Sequence, residues 1–444
     1  MNLAGIFEAN RPKIVELFLT ALNVASNTAV QLLLVKLLST SLTKSDFARY
    51  SISVLTSSFV TLLFFGPLVA ALTKYAPIAV LDGKIYSLNV AIVRIVKKGL
   101  ALLFSIILLI LGFIAFAFAS VNDELMLFVA GLLYSVPVGL TLIIEAFYTA
   151  HRQRGKLLGF QLASSITRII STVFILCFSK DVLLLIYLPS ASLLLFLVSY
   201  LYLYHNATLK LVLSNSDSLF VRNDVQMSER LVSYAIPFAL WAIPLWIHQA
   251  GDRWILQLTD RSTELAELFV LTIVFSSPVN IIGTVVQQFA SPITAHKAAK
   301  LGSESGKEMA RVTFFSIALF VAVAVPFSLI AFIYSRDLIL LLSNDKYLSV
   351  VGIGKYLQLS AILQGLAQIV SQPLFHEENL VRIRFIKWTS AVAGIILSTI
   401  GAFFFGLEGA VFAQLLSSAL FLLHVVLVQS NFAFGVSPMT KTGI

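Results

Sequence analysis

The sequence predicts an all-α membrane protein, with twelve transmembrane helices in two six-helix lobes around a central polar cavity. Three observations predict it. Apolar residues make up 58% of the 444 and charged residues only 12%, about half the charged share of a soluble domain. Apolar runs of membrane-spanning length recur from Lys13 to Val428. Inside a bilayer every backbone N–H and C=O must be bonded within its own segment, so such runs are helices. The longest connection falls midway and divides the runs six and six.

By hydropathy the first six spans fall at 13–38, 47–73, 99–120, 125–149, 158–178 and 182–204, forming an N-lobe over 1–204. A polar linker of mixed charge follows at 205–230. The C-lobe, 231–444, carries spans at 231–257, 265–290, 311–334, 351–374, 385–406 and 409–429. No cleavable leader is expected, because the first run is too long and holds Glu16. The single cysteine, Cys177, lies in the fifth span, so no intramolecular disulfide and no metal cluster is expected. The net charge of +9 comes from Lys and Arg scattered over short loops rather than gathered in a stripe, which argues against a nucleic-acid partner. With the N-terminus inside, most of the 31 Lys and Arg fall on the cytoplasmic side. Both termini are therefore predicted to be cytoplasmic.

No GxxxxGK[ST], HExxH, CxxC or GxSxG occurs, which disfavours ATP hydrolysis, zinc proteolysis and thiol redox chemistry. No enzyme activity, cofactor or metal is predicted. The halves repeat each other faintly. SDFARY at 45–50 parallels ELAELF at 264–269, and His151, Phe160 and Ser165 parallel His376, Phe385 and Ser390. Duplicated bundles with a substrate site between the halves are a recurring design of secondary transporters.

Polar residues inside the spans point to a lumen. In the first span Glu16, Thr20, Asn23, Asn27 and Gln31 draw one line down a helix, and in the eighth Asn280, Thr284, Gln287, Gln288 and Ser291 do the same. In the tenth, Gln358, Gly365, Gln368 and Gln372 share a face. One such stripe reads as interhelical glue; three read as the wall of a water-filled path. Charges within spans are functional candidates by default. Glu145 closes the fourth span and Arg168 sits mid-way in the fifth, where the hairpin through HRQRGK lets them meet. Both a structural ion pair and an anion-binding arginine with its counter-ion remain open. Span seven reads WAIPLWIHQAGDRW, with Trp241, Pro244, His248 and Asp252 on one face. Pro244 is expected to interrupt the helix. His248 and Asp252 are candidates for a coupling proton, or sodium at Asp252, and Trp241 or Trp246 for stacking on a sugar ring. The alternative for Asp252, Arg253 and Trp254 is an interfacial anchor.

GDRWILQLTDRSTELAELFVLTIVFSSPVNIIGTVVQQFASP, KLLSTSLTKSDFARYSISVL and FYTAHRQRGKLLGFQLASSITRI together resemble the polysaccharide transporter family of Wzx-type O-antigen flippases. That family lies within the multidrug/oligosaccharidyl-lipid/polysaccharide (MOP) exporter superfamily, whose fold is MATE-like. The resemblance spans the chain in length, span number and loop placement. It departs where members carry glycine after the acidic–aromatic pair entering span two: here Ala48 follows Asp46–Phe47, and Ala266 follows Glu264–Leu265. The resemblance implies alternating-access flipping of an undecaprenyl-diphosphate-linked oligosaccharide across the bacterial inner membrane, beside a polysaccharide polymerase and a chain-length regulator. It implies a diphosphate on Arg168 and Arg253, with Lys36 and Lys355 near the outer mouth. Sugar hydroxyls would meet Asn23, Asn27, Gln31, Asn280, Gln287 and Trp241. A multidrug or cation antiporter of the same superfamily is the first alternative. An O-antigen polymerase is the second, disfavoured by short outer loops.

Overall fold

The computed structural model describes residues 3–81, 84–117, 123–150, 153–212, 221–287, 290, 305–376 and 380–433. The regular elements among them are all helical. In chain order they are α1 (Leu3–Ser41), α2 (Lys44–Val60), a π turn (Thr61–Phe65), α3 (Gly66–Leu81), α4 (Ile85–Ala117), α5 (Asp123–Ala150), α6 (Arg154–Phe178), α7 (Val182–Val212) and α8 (Val221–Leu258). The chain continues with α9 (Ser262–Leu271), a π turn (Thr272–Ser276), α10 (277–287), α11 (Ser305–Ile333), α12 (Ser335–Leu342), a 3-10 segment (Asp345–Ile353), α13 (Gly354–His376) and α14 (Leu380–Ala433).

Among the described residues nine stretches are long and apolar enough to cross a membrane. One of them, Phe385–Gln429, holds both of the last two spans read from the sequence, because α14 breaks at Gly406, whose φ of 61° suits glycine. The spans read at 99–120 and 231–257 fall on α4 and α8, which are not among the nine. This is a multi-pass, all-helical membrane protein. Its outward faces carry Leu, Ile, Phe and Val, with Leu109 at 73% and Phe178 at 78% exposure, as lipid requires.

The chain forms two compact units, Met1–Trp246 and Ile247–Ile444. The boundary lies within α8, and residues 213–220 of the expected linker lie outside the described residues. Contrary to expectation, α8 runs unbroken through Pro237 and Pro244. Membrane helices absorb a proline where neighbours re-satisfy the freed carbonyl.

The same device builds both units. In the N-terminal unit, α2 and α5 cross so closely that a Cβ on Gly131 would stand 2.5 Å from the Ser53 carbonyl oxygen, and Ser53 Oγ donates to the Leu127 carbonyl at 2.8 Å. In the C-terminal unit, Ser276 Oγ donates to the Leu357 carbonyl at 3.1 Å. Lipid is as apolar as leucine, so small-residue crossings and interhelical hydrogen bonds supply the association. Each π turn also seats a phenylalanine on a glycine two spans later. Phe65 fills the place a side chain at Gly139 would take, and Phe275 does so at Gly354.

The acids entering the second and eighth spans diverge. Asp46 Oδ2 accepts from Thr43 Oγ1 at 2.7 Å, while Thr43 Oγ1 accepts from the Asp46 N–H at 3.1 Å, a local helix cap. Glu264 instead accepts the Leu407 N–H at 2.5 Å and pairs with Arg261 at 3.3 Å, and Arg261 donates to the Phe403 carbonyl at 3.2 Å. A side chain at Gly406 would collide with both. Glu264 and Arg261 thus clasp the break in α14.

Candidate functional site

The C-terminal unit contains a polar cavity of about 300 Å³. Five elements line it: α8 with Arg253, the π turn with Thr272 and Ser276, α10 with Asn280 and Thr284, α13 with Ala361, Gln364 and Gln368, and α14 with Gln414. Thr272, Ser276, Asn280 and Thr284 step by four along one rod. Ala361, Gln364 and Gln368 step by three and four along another, so helical period alone aims both rows at one space. Ala361 is the only apolar member among the described lining residues.

Arg253 is the only ionisable residue among the described lining residues. Its guanidinium carbon lies 6.0 Å from the centre of the Phe269 ring, and its Nε is buried without a hydrogen-bond partner. Asp252, one residue earlier, is 5% exposed. Its Oδ1 accepts the Arg253 N–H at 2.9 Å and its Oδ2 has no partner. Such burial disagrees with the anchor reading, which places the side chain at the lipid headgroups. Gln287 Nε2 donates to Gln368 Oε1 at 3.0 Å, tying α10 to α13 beside the cavity.

Arg168 has a different setting. Its guanidinium carbon lies 5.9 Å from the centre of the Tyr134 ring. The space beside it is about 10 Å³, room for at most one water. Leu34, Val54, Leu185, Ile186 and Pro189 close it, with Tyr50, Tyr134 and Thr172 the other lining groups. Glu145 accepts from the Gln161 amide and Arg168 lies on Tyr134, while the charges of Glu145 and Arg168 still attract each other at longer range. Gln161 and Arg168 are two turns apart on α6, roughly 10 Å along its axis, so each side chain meets the partner at its own level.

The stripe of the first span does not share one environment. Asn23 is buried with Oδ1 unpartnered, Asn27 is half-buried and Gln31 is exposed. Trp241 and His248 occupy helical positions in α8, and their side chains lie outside the described residues, as does that of Glu16. Trp246 is engaged: its Nε1 donates to Ser58 Oγ at 3.0 Å and its ring packs on Phe59 at 4.8 Å. Lys355 is exposed with its Nζ 5.0 Å from the Tyr356 ring, and Lys36 is half-buried on α1. Of the residues singled out from sequence, the structure brings together Arg253, Asn280 and, through Gln368, Gln287. Arg168, Glu145, Asn23, Asn27 and Gln31 belong to the N-terminal unit.

No protein-family model and no curated protein sequence matches the chain. Solved structures do. A MATE in complex with MaL6 superposes with a TM-score of 0.66 at 12% identity, over 95% of this chain and 96% of that one. The lipid II flippase MurJ in an inward closed conformation gives 0.65 at 13% identity, over 94% and 87%. A MOP superfamily transporter from Pyrococcus furiosus, whose reverse polarity of binding pocket suggests a different function, gives 0.64 at 11% identity, over 95% and 96%.

The fold is MOP-like.

Within this MOP-like fold, sequence reasoning missed Gln364, Gln414, Thr272 and Ser276. Gln364 lies one turn before Gln368, and the line through Gly365 drew attention from it. Gln414 is a lone amide in an apolar span and has no periodicity to announce it. Thr272 and Ser276 bound the π turn, and such turns, frequent at functional sites, leave little trace in hydropathy.

Proposed function

We propose that this protein is a flippase that moves undecaprenyl-diphosphate-linked oligosaccharide repeat units, as of an O-antigen or similar surface polysaccharide, from the cytoplasmic to the periplasmic leaflet of the bacterial inner membrane by alternating access. The observation that carries the reading is the C-terminal cavity: one arginine among amides and hydroxyls, with no carboxylate among its described lining residues. A cationic, hydroxyl-matching wall suits an anionic glycan and ill suits a lipophilic cation. Likeness to the lipid II flippase MurJ supports a fold able to serve such cargo.

The energetics need no second substrate. Moving negative charge outward across an inside-negative membrane releases about 2.3 kcal/mol per charge per 100 mV, so a doubly charged diphosphate gains roughly 5 kcal/mol. Removing the potential is expected to slow export more than collapsing a sodium gradient does; equal loss under both would contradict the energetics.

A drug or cation antiporter is the second reading. Asp252, buried with one oxygen unpartnered, favours it as a carboxylate able to hold a proton or sodium. Deleting the gene separates the two. Lipid-linked repeat units accumulating inside, with surface polymer lost, support the flippase. Intact surface glycan with new sensitivity to cationic dyes supports the antiporter. Reporter fusions at each end test the topology, and both are expected to report from the cytoplasm.

A further inference from the structure

The wall of the C-terminal cavity is selective in a way that the flippase reading, on which this inference rests, does not require. Among its described lining residues the fixed charge is one guanidinium. Arg253 Nε is buried and lacks a partner, and together with a terminal nitrogen it forms the planar fork that matches one carboxylate. The same wall carries acceptors as well as donors. Gln414 Oε1 is buried without a partner, and the terminal amide torsion that aims it is soft. The Gln287 bond occupies Gln368 Oε1 and leaves its amide nitrogen free to donate.

Three ligand classes fail on this wall. A cation meets a guanidinium and no carboxylate. An inorganic anion is chiefly an acceptor, and even phosphate brings only one or two O–H donors, so it answers Arg253 and leaves most of the amide wall unmatched. A neutral sugar answers the amides and leaves the buried Arg253 Nε without a partner, which is costly. One compact unit with a single carboxylate and several hydroxyls answers both sides. At about 300 Å³ the cavity stands at the lower end of small-molecule sites, suited to one ring and not to a chain.

We propose that this cavity binds an acidic monosaccharide unit of the transported glycan, its carboxylate on Arg253 and its hydroxyls on Gln364, Gln368, Gln414 and Asn280. The transported repeat unit therefore contains a sugar of the uronic acid class.

The test uses the purified full-length protein in nanodiscs, with ligand-observed NMR titration of D-glucuronate, D-glucose and inorganic phosphate. Glucuronate is expected to bind at least about tenfold more tightly than glucose or phosphate. Arg253→Gln removes that preference, Gln364→Leu weakens glucuronate binding, and Gly99→Ala, with open space at its Cβ, changes nothing. Arg253→Lys retains charge without the fork and is expected to recover only part of the preference, which separates carboxylate recognition from general attraction or misfolding. Equal binding of glucose and glucuronate, displacement of glucuronate by equimolar phosphate, or no binding by any probe overturns the proposal. The deletion strain keeps the two readings apart. Accumulated lipid-linked units made only of neutral sugars overturn the acidic-sugar site and leave the flippase standing. Absence of such units removes the flippase, and the titration still judges the site.

Discussion

Arg168 and Arg253 are both arginines within long helices of this membrane protein, and each guanidinium rests about equally far from one aromatic ring, 5.9 Å from Tyr134 and 6.0 Å from Phe269. Their surroundings differ thirtyfold in open volume, about 10 Å³ against about 300 Å³. Aliphatic side chains and a proline seal Arg168 in place; amides and hydroxyls stand back from Arg253. A membrane-embedded charge alone therefore does not mark a site. The neighbours decide, because a guanidinium closed in by aliphatic groups and tyrosines has no room for a ligand, whereas one facing unpartnered polar atoms has unmet demand for one.

The largest expected effect tests this contrast directly. Arg253→Gln is expected to cut export of the surface glycan by about 30–150-fold, the loss of a charged hydrogen bond worth about 2–3 kcal/mol. Arg168→Met, which keeps length and apolar contact, is expected to hold export per folded protein within about twofold, since the space beside Arg168 admits at most one water and no ligand. Equal losses in the two variants, measured at matched protein levels, would erase the distinction between them.

The shared architecture of the two units gives the next tests. Gly139→Leu and Gly354→Leu are each expected to destabilise by about 1–3 kcal/mol, as Phe65 or Phe275 is driven from its seat. Thermal unfolding in detergent reads both, and a large effect at only one glycine would mean the π turns are not equivalent. A smaller contrast concerns the acids that enter the second and eighth spans. Glu264→Ala strands the Leu407 N–H and is expected to cost about 1–3 kcal/mol. Thr43→Ala, which removes only a local cap, is expected to cost about 1 kcal/mol. Reversal of that order would show that the clasp on Gly406 carries little energy. The smallest effects are at the serines that cross between helices, Ser53→Ala and Ser276→Ala, at about 0.6 kcal/mol each.

Part of the site is legible in the residue pattern alone. Asn280 and Thr284 of the stripe in the eighth span line the cavity because four-residue steps keep side chains on one helix face, while Gln288 and Ser291 lie outside the described residues. Arg253 stands out because charge is rare within spans. Other features needed the third dimension. Pro244 carries a strong local signal for a break, yet α8 continues through it. Trp246 reads as a free aromatic, yet Ser58 and Phe59, far away in sequence, hold it.

By itself the sequence determined the solvent and the class of fold, because hydrocarbon leaves a long apolar run no option but the helix. It also set which faces are polar. The tertiary structure alone decided which polar faces meet one another and which meet empty space. It set Glu145 on Gln161, brought the isolated Gln414 to the same cavity as Arg253, and closed the space around Arg168. Those outcomes depend on helix crossings set by glycines and serines such as Gly131 and Ser53. A crossing is a relation between distant segments, and no local pattern of residues specifies it.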